Sequence, residues 1–227
     1  MTETLVKVFE ALVVIFLEVI MVMLIGRVIC LRKIKKAVKQ GDMVKYEKML
    51  NSKWYARFVG SDRINLLKAV FYSNKNDYST ALAALAQIDM NQLDEDEKEI
   101  FIQVSTSIAI ATHHKELFNQ LGGVIDEYSK KLSEEKAEEL KHEYELNRKL
   151  YFKFDPSIIP ELEANVEKAE DDKAKGMNEM MLAKAYHLNK DDKKATAALK
   201  EAKSLLAGTP YEETIKEMIK KPSLLDN

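Results

Sequence analysis

The chain begins with a long apolar stretch that ends in a one-sided cluster of basic residues. Residues 11–25 read ALVVIFLEVIMVMLI and carry a single charge. Six basic residues follow before the first acid, Asp42: they are Arg27, Arg32, Lys33, Lys35, Lys36 and Lys39. The apolar segment from Val8 to Leu31 has 24 residues. At about 1.5 Å per residue, a helix of this length crosses a hydrocarbon core of about 30 Å. The stretch therefore predicts a transmembrane helix over residues 8–31.

Two other interpretations of this stretch compete with a membrane anchor. A cleaved signal peptide has a basic start, a shorter apolar core and small residues at the cleavage site. Here the first ten residues (MTETLVKVFE) are acidic on balance, and no Ala-x-Ala pattern follows the core. A buried helix of a soluble domain is the second alternative. Glu18 interrupts the apolar run at a cost of about 2.5–3.5 kcal/mol, which the surrounding apolar residues can offset. An anchor is the favoured interpretation.

The basic cluster also predicts the orientation of the anchor. Lys7 alone precedes the span, whereas six basic residues follow it, and Lys and Arg are retained on the cytoplasmic side of a cell membrane. We therefore expect residues 1–7 outside, a basic juxtamembrane segment at 32–41, and a cytoplasmic domain over 42–227. The same cluster could bind anionic lipid headgroups, although a topology signal is the simpler interpretation. The single cysteine, Cys30, fits a reducing compartment.

Beyond the anchor, the sequence predicts helices and no strands. The chain has only 7 Gly and 4 Pro in 227 residues, and Ala, Leu, Lys and Glu dominate without β-branched alternation. Helix starts are well marked. Asp94 with Glu97 has the spacing of a capping box, and Asp155 with Pro156 is typical of an N-cap followed by proline. We expect about ten helices joined by short turns, an all-α domain.

Two stretches of the chain share one pattern at identical spacings. Residues 67–85 and 181–199 each contain a small residue, an aromatic residue, a polar turn, a second small residue and a large apolar residue. The shared positions are Ala69, Tyr72, Ala81 and Leu85, matched by Ala183, Tyr186, Ala195 and Leu199. Small residues at these places allow two antiparallel helices to approach closely. The pattern resembles the tetratricopeptide repeat (TPR), a helical hairpin of 34 residues.

The resemblance implies an α-solenoid whose concave groove binds a peptide or a helix of a protein partner. Ligand-facing residues of the family lie on the first helix of each hairpin, which corresponds here to Arg63 and Asn74, and to Lys184 and His187. The two copies lie 114 residues apart, which is not a multiple of 34, and the residues between them carry no clear repeat. Both copies also lack the early Trp of the family and its Gly after the small residue. Another kind of helical bundle is the alternative.

The sequence gives no indication of catalysis, of a metal or of a cofactor. His113 and His114 are adjacent, so on a helix they would point about 100° apart and could not easily share a metal. No phosphate-binding loop is present, and the single cysteine has no nearby partner for metal binding. Beyond the juxtamembrane cluster, acidic and basic residues are interspersed, which argues against nucleic-acid binding. We therefore expect a binding protein, and an enzyme with an unrecognised site on a helical scaffold is the least favoured alternative.

Glu18 provides a second hypothesis for function. An acid at the middle of a membrane usually faces protein or water and marks a partner. The span could therefore pair with another membrane protein, and the chain would then be a small accessory subunit of a larger membrane complex. The simpler interpretation is that Glu18 is protonated and tolerated. Groove and span thus give two competing sites for a protein partner.

Overall fold

The computed structural model describes the backbone of residues 2–209 and 211–226, and the side chains of residues 12–209 and 211–226. Over this part of the chain the structure is all-helical and contains no strand, so the all-α prediction is confirmed. The helices are α1 Thr2–Lys39, α2 Met43–Leu50, α3 Lys53–Val59, α4 Ser61–Ser73, α5 Tyr78–Leu85, α6 Glu95–Ala111, α7 Lys115–Ser129, α8 Glu134–Asn147, α9 Ile159–Lys168, α10 Asp172–Leu188, α11 Asp192–Leu205 and α12 Tyr211–Lys220. A π-helical turn at Arg148–Lys153 extends α8, and 3₁₀ turns lie at Met90–Gln92, Pro156–Ile158 and Pro222–Asp226.

Helix α1 is long and apolar enough to cross a membrane. The segment with that property runs from Leu12 to Lys39, has a mean hydropathy of 2.7 in its most apolar window, and is 0% buried within the protein there. Its large apolar side chains lie exposed on all sides of the helix as far as Ile29. The helix does not end at the basic cluster but continues through it to Lys39.

The last turns of α1 form part of a folded core. The chain divides into two compact units, residues 1–108 and residues 109–227. In the first unit, α1 packs against α2 and α3. Cys30, Ile34 and Ala37 are buried there at 3%, 6% and 1% exposure. Their neighbours in the same cluster are Tyr46, Met49, Leu50, Val59, Ile64 and Phe71. The C-terminal part of α1, from Cys30 onward, is therefore an integral part of the first unit.

A glycine allows α3 to approach α1 closely. A Cβ added at Gly26 would lie 2.2 Å from Cδ1 of Phe58, far inside van der Waals contact. The ring of Phe58 thus lies directly against the backbone of α1. Gly26 is the residue between the apolar stretch and Arg27, so this contact places α3 beside the boundary between the apolar and basic parts of α1.

The second unit is built around the pair α10 and α11. These helices pack along their length, and α9, α12 and the Pro222–Asp226 turn pack against the same pair. Ala183 and Ala195 are almost fully buried where α10 and α11 meet, as are Ala69 and Ala81 where α4 and α5 meet. The large side chains of the core are Leu150, Ile158, Leu162, Leu199, Leu206 and Ile215.

One turn geometry recurs five times in the part of the chain that the structure describes. In each copy a residue with positive φ is followed by a residue whose side chain accepts a hydrogen bond from a backbone N–H near the start of the next helix. The positive-φ residues are Gly41, Asn76, His113, Phe154 and Lys190, with φ between 50° and 67°. The capping residues are Asp42, Asp77, His114, Asp155 and Asp191.

In each of these turns the backbone N–H of the capping residue donates to a carbonyl of the preceding helix. In four of them the N–H of the capping residue donates to the carbonyl five residues earlier, at 2.9–3.0 Å; an example is Asp77 to Tyr72. The turn at Asp155 instead donates to Lys149, six residues earlier, because the preceding turn of α8 is π-helical. The hydrogen bond at Asp155 thus spans one residue more than in the other turns, while the positive φ and the side-chain cap are kept.

These turns account for the irregular spacing of the two sequence copies. The capping residues Asp77, His114, Asp155 and Asp191 are 37, 41 and 36 residues apart, so the 114 residues between the outer two contain three unequal intervals. The two stretches found by sequence belong to the first and last of these four turns. The intervening turns use His114 and the Phe154–Asp155 pair, which carry no shared residue pattern.

Two helix predictions have different outcomes. Asp42 after Gly41 predicts the start of a helix that continues through Phe58 and is closed by Gly60 and Ser61, but the structure breaks this segment at Asn51 and Ser52 into α2 and α3. The capping box of α6 is confirmed: Asp94 accepts from the N–H of Glu97, and Glu97 accepts from the N–H of Asp94, each at 3.0 Å. Two otherwise unpaired backbone donors are satisfied in this way.

We expect Asp94→Ala to destabilise the first unit by about 1 kcal/mol, because it removes the side-chain cap of α6. Urea unfolding of the full chain in detergent micelles, followed by circular dichroism, measures the change. Asp96→Ala is the matched control, because Asp96 is exposed in the same first turn of α6. Equal losses for the two variants would contradict a specific role of the Asp94 cap.

Candidate binding surface

Arg63, the first residue predicted to contact a ligand, is held by an intramolecular ion-pair network. It lies in the first turn of α4, and its side chain is 22% exposed. Its Nη2 donates to Asp94 Oδ2 at 3.0 Å, and its Nε donates to Glu97. The guanidinium thus ties α4 to the capping box of α6. Its charge is largely neutralised by these two carboxylates.

Asn74, the second predicted contact, lies at the opposite end of α4. It is the C-cap residue, its backbone N–H donates to the Val70 carbonyl at 3.1 Å, and its side chain is exposed. Eleven residues of helix separate it from Arg63, a rise of about 16 Å. The structure therefore does not bring these two residues together.

Lys184, in the middle of α10, is buried with 4% exposure. Its Nζ donates to the carbonyl of Leu225 at 2.7 Å and lies 5.3 Å from the centre of the Tyr151 ring. Burial lowers the pKa of the ammonium group to about 8, and the nearby Asp226 carboxylate opposes this shift. A cation in such a place needs acceptors from its neighbours, since water is largely excluded.

His187 lies three residues after Lys184, on the same face of α10. Its Nδ1 is 2.7 Å from Asp192 Oδ1, and its Nε2 is 3.0 Å from Asp226 Oδ1. Burial lowers the pKa of the imidazole, but the hydrogen bonds to Asp192 and Asp226 outweigh it, and the pKa is raised. Only the imidazolium can donate from both nitrogens, so the geometry favours the protonated form.

The segment Pro222–Asp226, called here the C-terminal turn, lies on this face of α10. Leu225 is buried with 3% exposure, its carbonyl accepts from Lys184, and the Asp226 carboxylate contacts His187. The two predicted residues of α10 are thus brought together, and they hold a segment of their own chain. The sequence does not predict these partners: no periodicity marks the short 3₁₀ turn that holds Leu225 and Asp226, and Tyr151 lies 33 residues before Lys184 in the π-helical turn.

Glu18 lies on the exposed surface of α1, as do its neighbours Leu17 and Val19.

Within the described part of the chain, no group of three or more His, Cys, Asp or Glu side chains is placed to hold a metal ion. A shallow, open surface on α8 is lined by Ser133, Glu134, Glu135, Glu138, Glu139 and His142. This surface is open to water and lined mostly by glutamates, and it does not form an enclosed site.

In comparisons with known proteins, no family model, no curated protein and no solved structure gave a significant match to this chain.

We expect the C-terminal turn to be held more tightly at pH 6 than at pH 8. The pKa of His187 is raised in the folded protein, so its contribution is fully present below the ordinary pKa of about 6.5 and is lost as the pH rises through the folded value. Hydrogen-exchange protection of the amides of Leu224–Asp226, corrected for intrinsic rates, measures this. His187→Gln should show low protection that does not change with pH. A wild-type protection factor that is also independent of pH would contradict the role of His187.

We expect the stability of the second unit to rise between pH 8 and pH 9.5 relative to a Lys184→Met variant. The folded pKa of Lys184 is about 8 and the unfolded value is about 10.4, so the unfolded chain binds more protons in this window and folding is favoured as pH rises. The relative gain should be on the order of 1–2 kcal/mol. Urea unfolding of both full chains at several pH values tests it. Parallel pH curves would contradict a neutral Lys184 at high pH.

Proposed function

We propose that this protein is a single-pass membrane-anchored adaptor that binds a protein partner through a TPR-like helical domain. In this proposal α1 crosses the cell membrane with the N-terminus outside, and the helical units lie in the cytoplasm. The excess of Lys and Arg after the span supports that orientation. The predicted ligands are a peptide or helix of another protein, and no cofactor is required.

Two properties of α1 support the anchor. Apart from Glu18 and Arg27, its side chains from Leu12 to Ile29 are apolar and mostly exposed, and such a surface is favoured in a nonpolar environment. The same helix contributes Cys30, Ile34 and Ala37 to the core of the first unit. A domain attached in this way has no flexible linker and keeps a fixed distance from the membrane.

The recurring turns support a TPR-like body. Capping residues spaced by 35, 37, 41 and 36 residues, at Asp42, Asp77, His114, Asp155 and Asp191, are close to the 34-residue period of the family. Short repeats of two helices bury their apolar faces by stacking on their neighbours. The buried alanines of the α4–α5 and α10–α11 pairs are consistent with this packing.

The observation that most directly supports binding is that side chains of α10 hold the C-terminal turn. Lys184 holds a backbone carbonyl, His187 holds a carboxylate, and Leu225 fills the apolar space between helices. A face that binds a short segment of its own chain has the chemistry to bind a similar segment of a partner. We infer a partner segment with a leucine followed by an acid, which would displace the C-terminal turn.

Glu18 supports a second candidate function, an accessory subunit of a membrane complex. Its carboxyl group is exposed among exposed apolar side chains of α1. Charged groups at such depth are usually paired with a neighbouring protein. In that case the span, and not α10, would make the decisive contact.

Cross-linking of the full chain in its native membrane, with partners quantified by mass spectrometry, tests both candidates. Removing α1 is a poor test, because Cys30, Ile34 and Ala37 belong to the folded core. The double change Leu225→Ala and Asp226→Asn loosens the C-terminal turn and should increase partner capture. If the released contacts are worth about 1–2 kcal/mol, the increase should be about 5- to 30-fold at subsaturating partner. Ser223→Ala, in the same turn, is the control.

The outcomes separate the two functions. Capture that rises with the loosened turn, falls with Lys184→Met and is unaffected by Glu18→Leu supports the adaptor. Capture that is lost only with Glu18→Leu supports the accessory subunit and refutes binding at α10. If neither set of changes alters any partner, both proposals are wrong.

A further inference from the structure

The first unit presents an apolar and basic surface at the point where α1 leaves its apolar stretch. At that point Trp54, in α3, has 62% of its surface exposed. Trp54 is the single tryptophan of the chain. Exposing a side chain of this size to water is unfavourable.

The level of this surface along α1 is fixed by contacts. The Phe58 ring lies against Gly26, immediately before Arg27. The centres of the Trp54 and Phe58 rings are 4.5 Å apart. Trp54 is therefore held close to the boundary between the apolar and basic parts of α1. In a bilayer crossed by α1, that boundary is the headgroup region, where tryptophan is enriched because its ring is apolar and its N–H is polar.

The charge around Trp54 is strongly positive. Residues 27–57 hold ten Lys and Arg but only two acids, although the whole chain has a net charge of −2. On α3 itself, Lys53 and Arg57 are exposed on either side of Trp54. Exposed basic residues on the neighbouring helices are Arg32, Lys33, Lys35, Lys36, Lys39, Lys45 and Lys48.

The two acids of this region are engaged within the protein. Asp42 Oδ1 accepts from the N–H of Lys45 at 3.0 Å, as the cap of α2. Glu47 accepts from Lys75 at 2.9 Å and from the Tyr72 hydroxyl at 3.0 Å, which lowers the pKa of its carboxyl group. With both acids counted, residues 27–57 still carry a formal charge of +8, from ten basic and two acidic residues.

We propose that α3 is a membrane-interface helix: Trp54 inserts among the lipid headgroups, and Lys53, Arg57 and the basic end of α1 bind anionic phospholipids. The occupant is a lipid surface and not a protein, since the patch continues directly from the apolar surface of α1 and its charge complements an anionic leaflet. This inference rests on the proposed membrane anchor. It adds a lipid preference and fixes the first unit against the bilayer.

The single tryptophan makes the proposal directly measurable. The full chain is reconstituted into vesicles of phosphatidylcholine alone and of phosphatidylcholine mixed with phosphatidylglycerol. Trp54 fluorescence is then quenched by acrylamide from water and by lipids brominated near the headgroup end of the chains. We expect phosphatidylglycerol to decrease acrylamide quenching and to increase bromolipid quenching, and high salt to reverse part of both changes.

Substitutions test the role of the basic residues. Two charges at about 1 kcal/mol each correspond to about a 30-fold change in the docking equilibrium. The double change Lys53→Gln and Arg57→Gln should therefore weaken the effect of phosphatidylglycerol, and the basic residues of α1 should retain the rest. The control is Lys173→Gln with Lys193→Gln, which changes the net charge equally at exposed positions in α10 and α11. This control should respond to phosphatidylglycerol like the wild type.

The experiment can refute the proposed membrane anchor and the proposed lipid binding of α3 separately. Release of the chain from vesicles by alkaline carbonate would overturn the anchor and this inference together. A retained chain whose Trp54 is equally open to acrylamide in both vesicles would overturn the lipid preference alone. Loss of the phosphatidylglycerol effect in the control variant as well would show that net charge, and not the α3 surface, is responsible.

Discussion

The structure depends on one helix whose two parts differ in burial. Between Leu12 and Ile29, α1 exposes mostly large apolar side chains, with Glu18 among them, whereas Cys30, Ile34 and Ala37 in its last turns complete the core of the first unit. A continuous helix cannot change direction sharply between these parts without breaking backbone hydrogen bonds. The direction of the apolar part relative to the core of the first unit is therefore fixed by the packing of α1 against α2 and α3, which includes the close contact of Phe58 with Gly26.

A second constraint acts in the second unit, where α10 carries a buried cation. Lys184 is nearly inaccessible, and a buried ammonium group is tolerated only when acceptors replace its lost water. The Leu225 carbonyl and the Tyr151 ring supply that replacement. The C-terminal turn therefore has a structural role, because its Leu225 carbonyl accepts a hydrogen bond from the buried ammonium group of Lys184.

Sequence patterns predicted the elements of this fold better than their connections. The apolar run, the capping box of Asp94 and Glu97 and the buried Ala69 and Ala183 follow from local spacing alone, and each is present. The break at Asn51–Ser52 was not predicted, because Tyr46, Met49 and Leu50 continue the apolar periodicity up to it. The partners of Arg63 and Lys184 lie 31 to 41 residues away, and no local pattern encodes contacts over that distance.

The recurring turn shows why a repeat can be clear in the backbone and faint in the sequence. Its geometry asks for a residue that tolerates positive φ, then a side chain that can accept a hydrogen bond from a backbone N–H. Gly41, Asn76 and Lys190 meet the first requirement with different chemistry, and His114 meets the second where the other copies use Asp. Because each copy is satisfied by different residues, identity between copies is lost while geometry is kept. Only the copies that also place small residues between their helices remain visible as a pattern, and these are the α4–α5 and α10–α11 pairs.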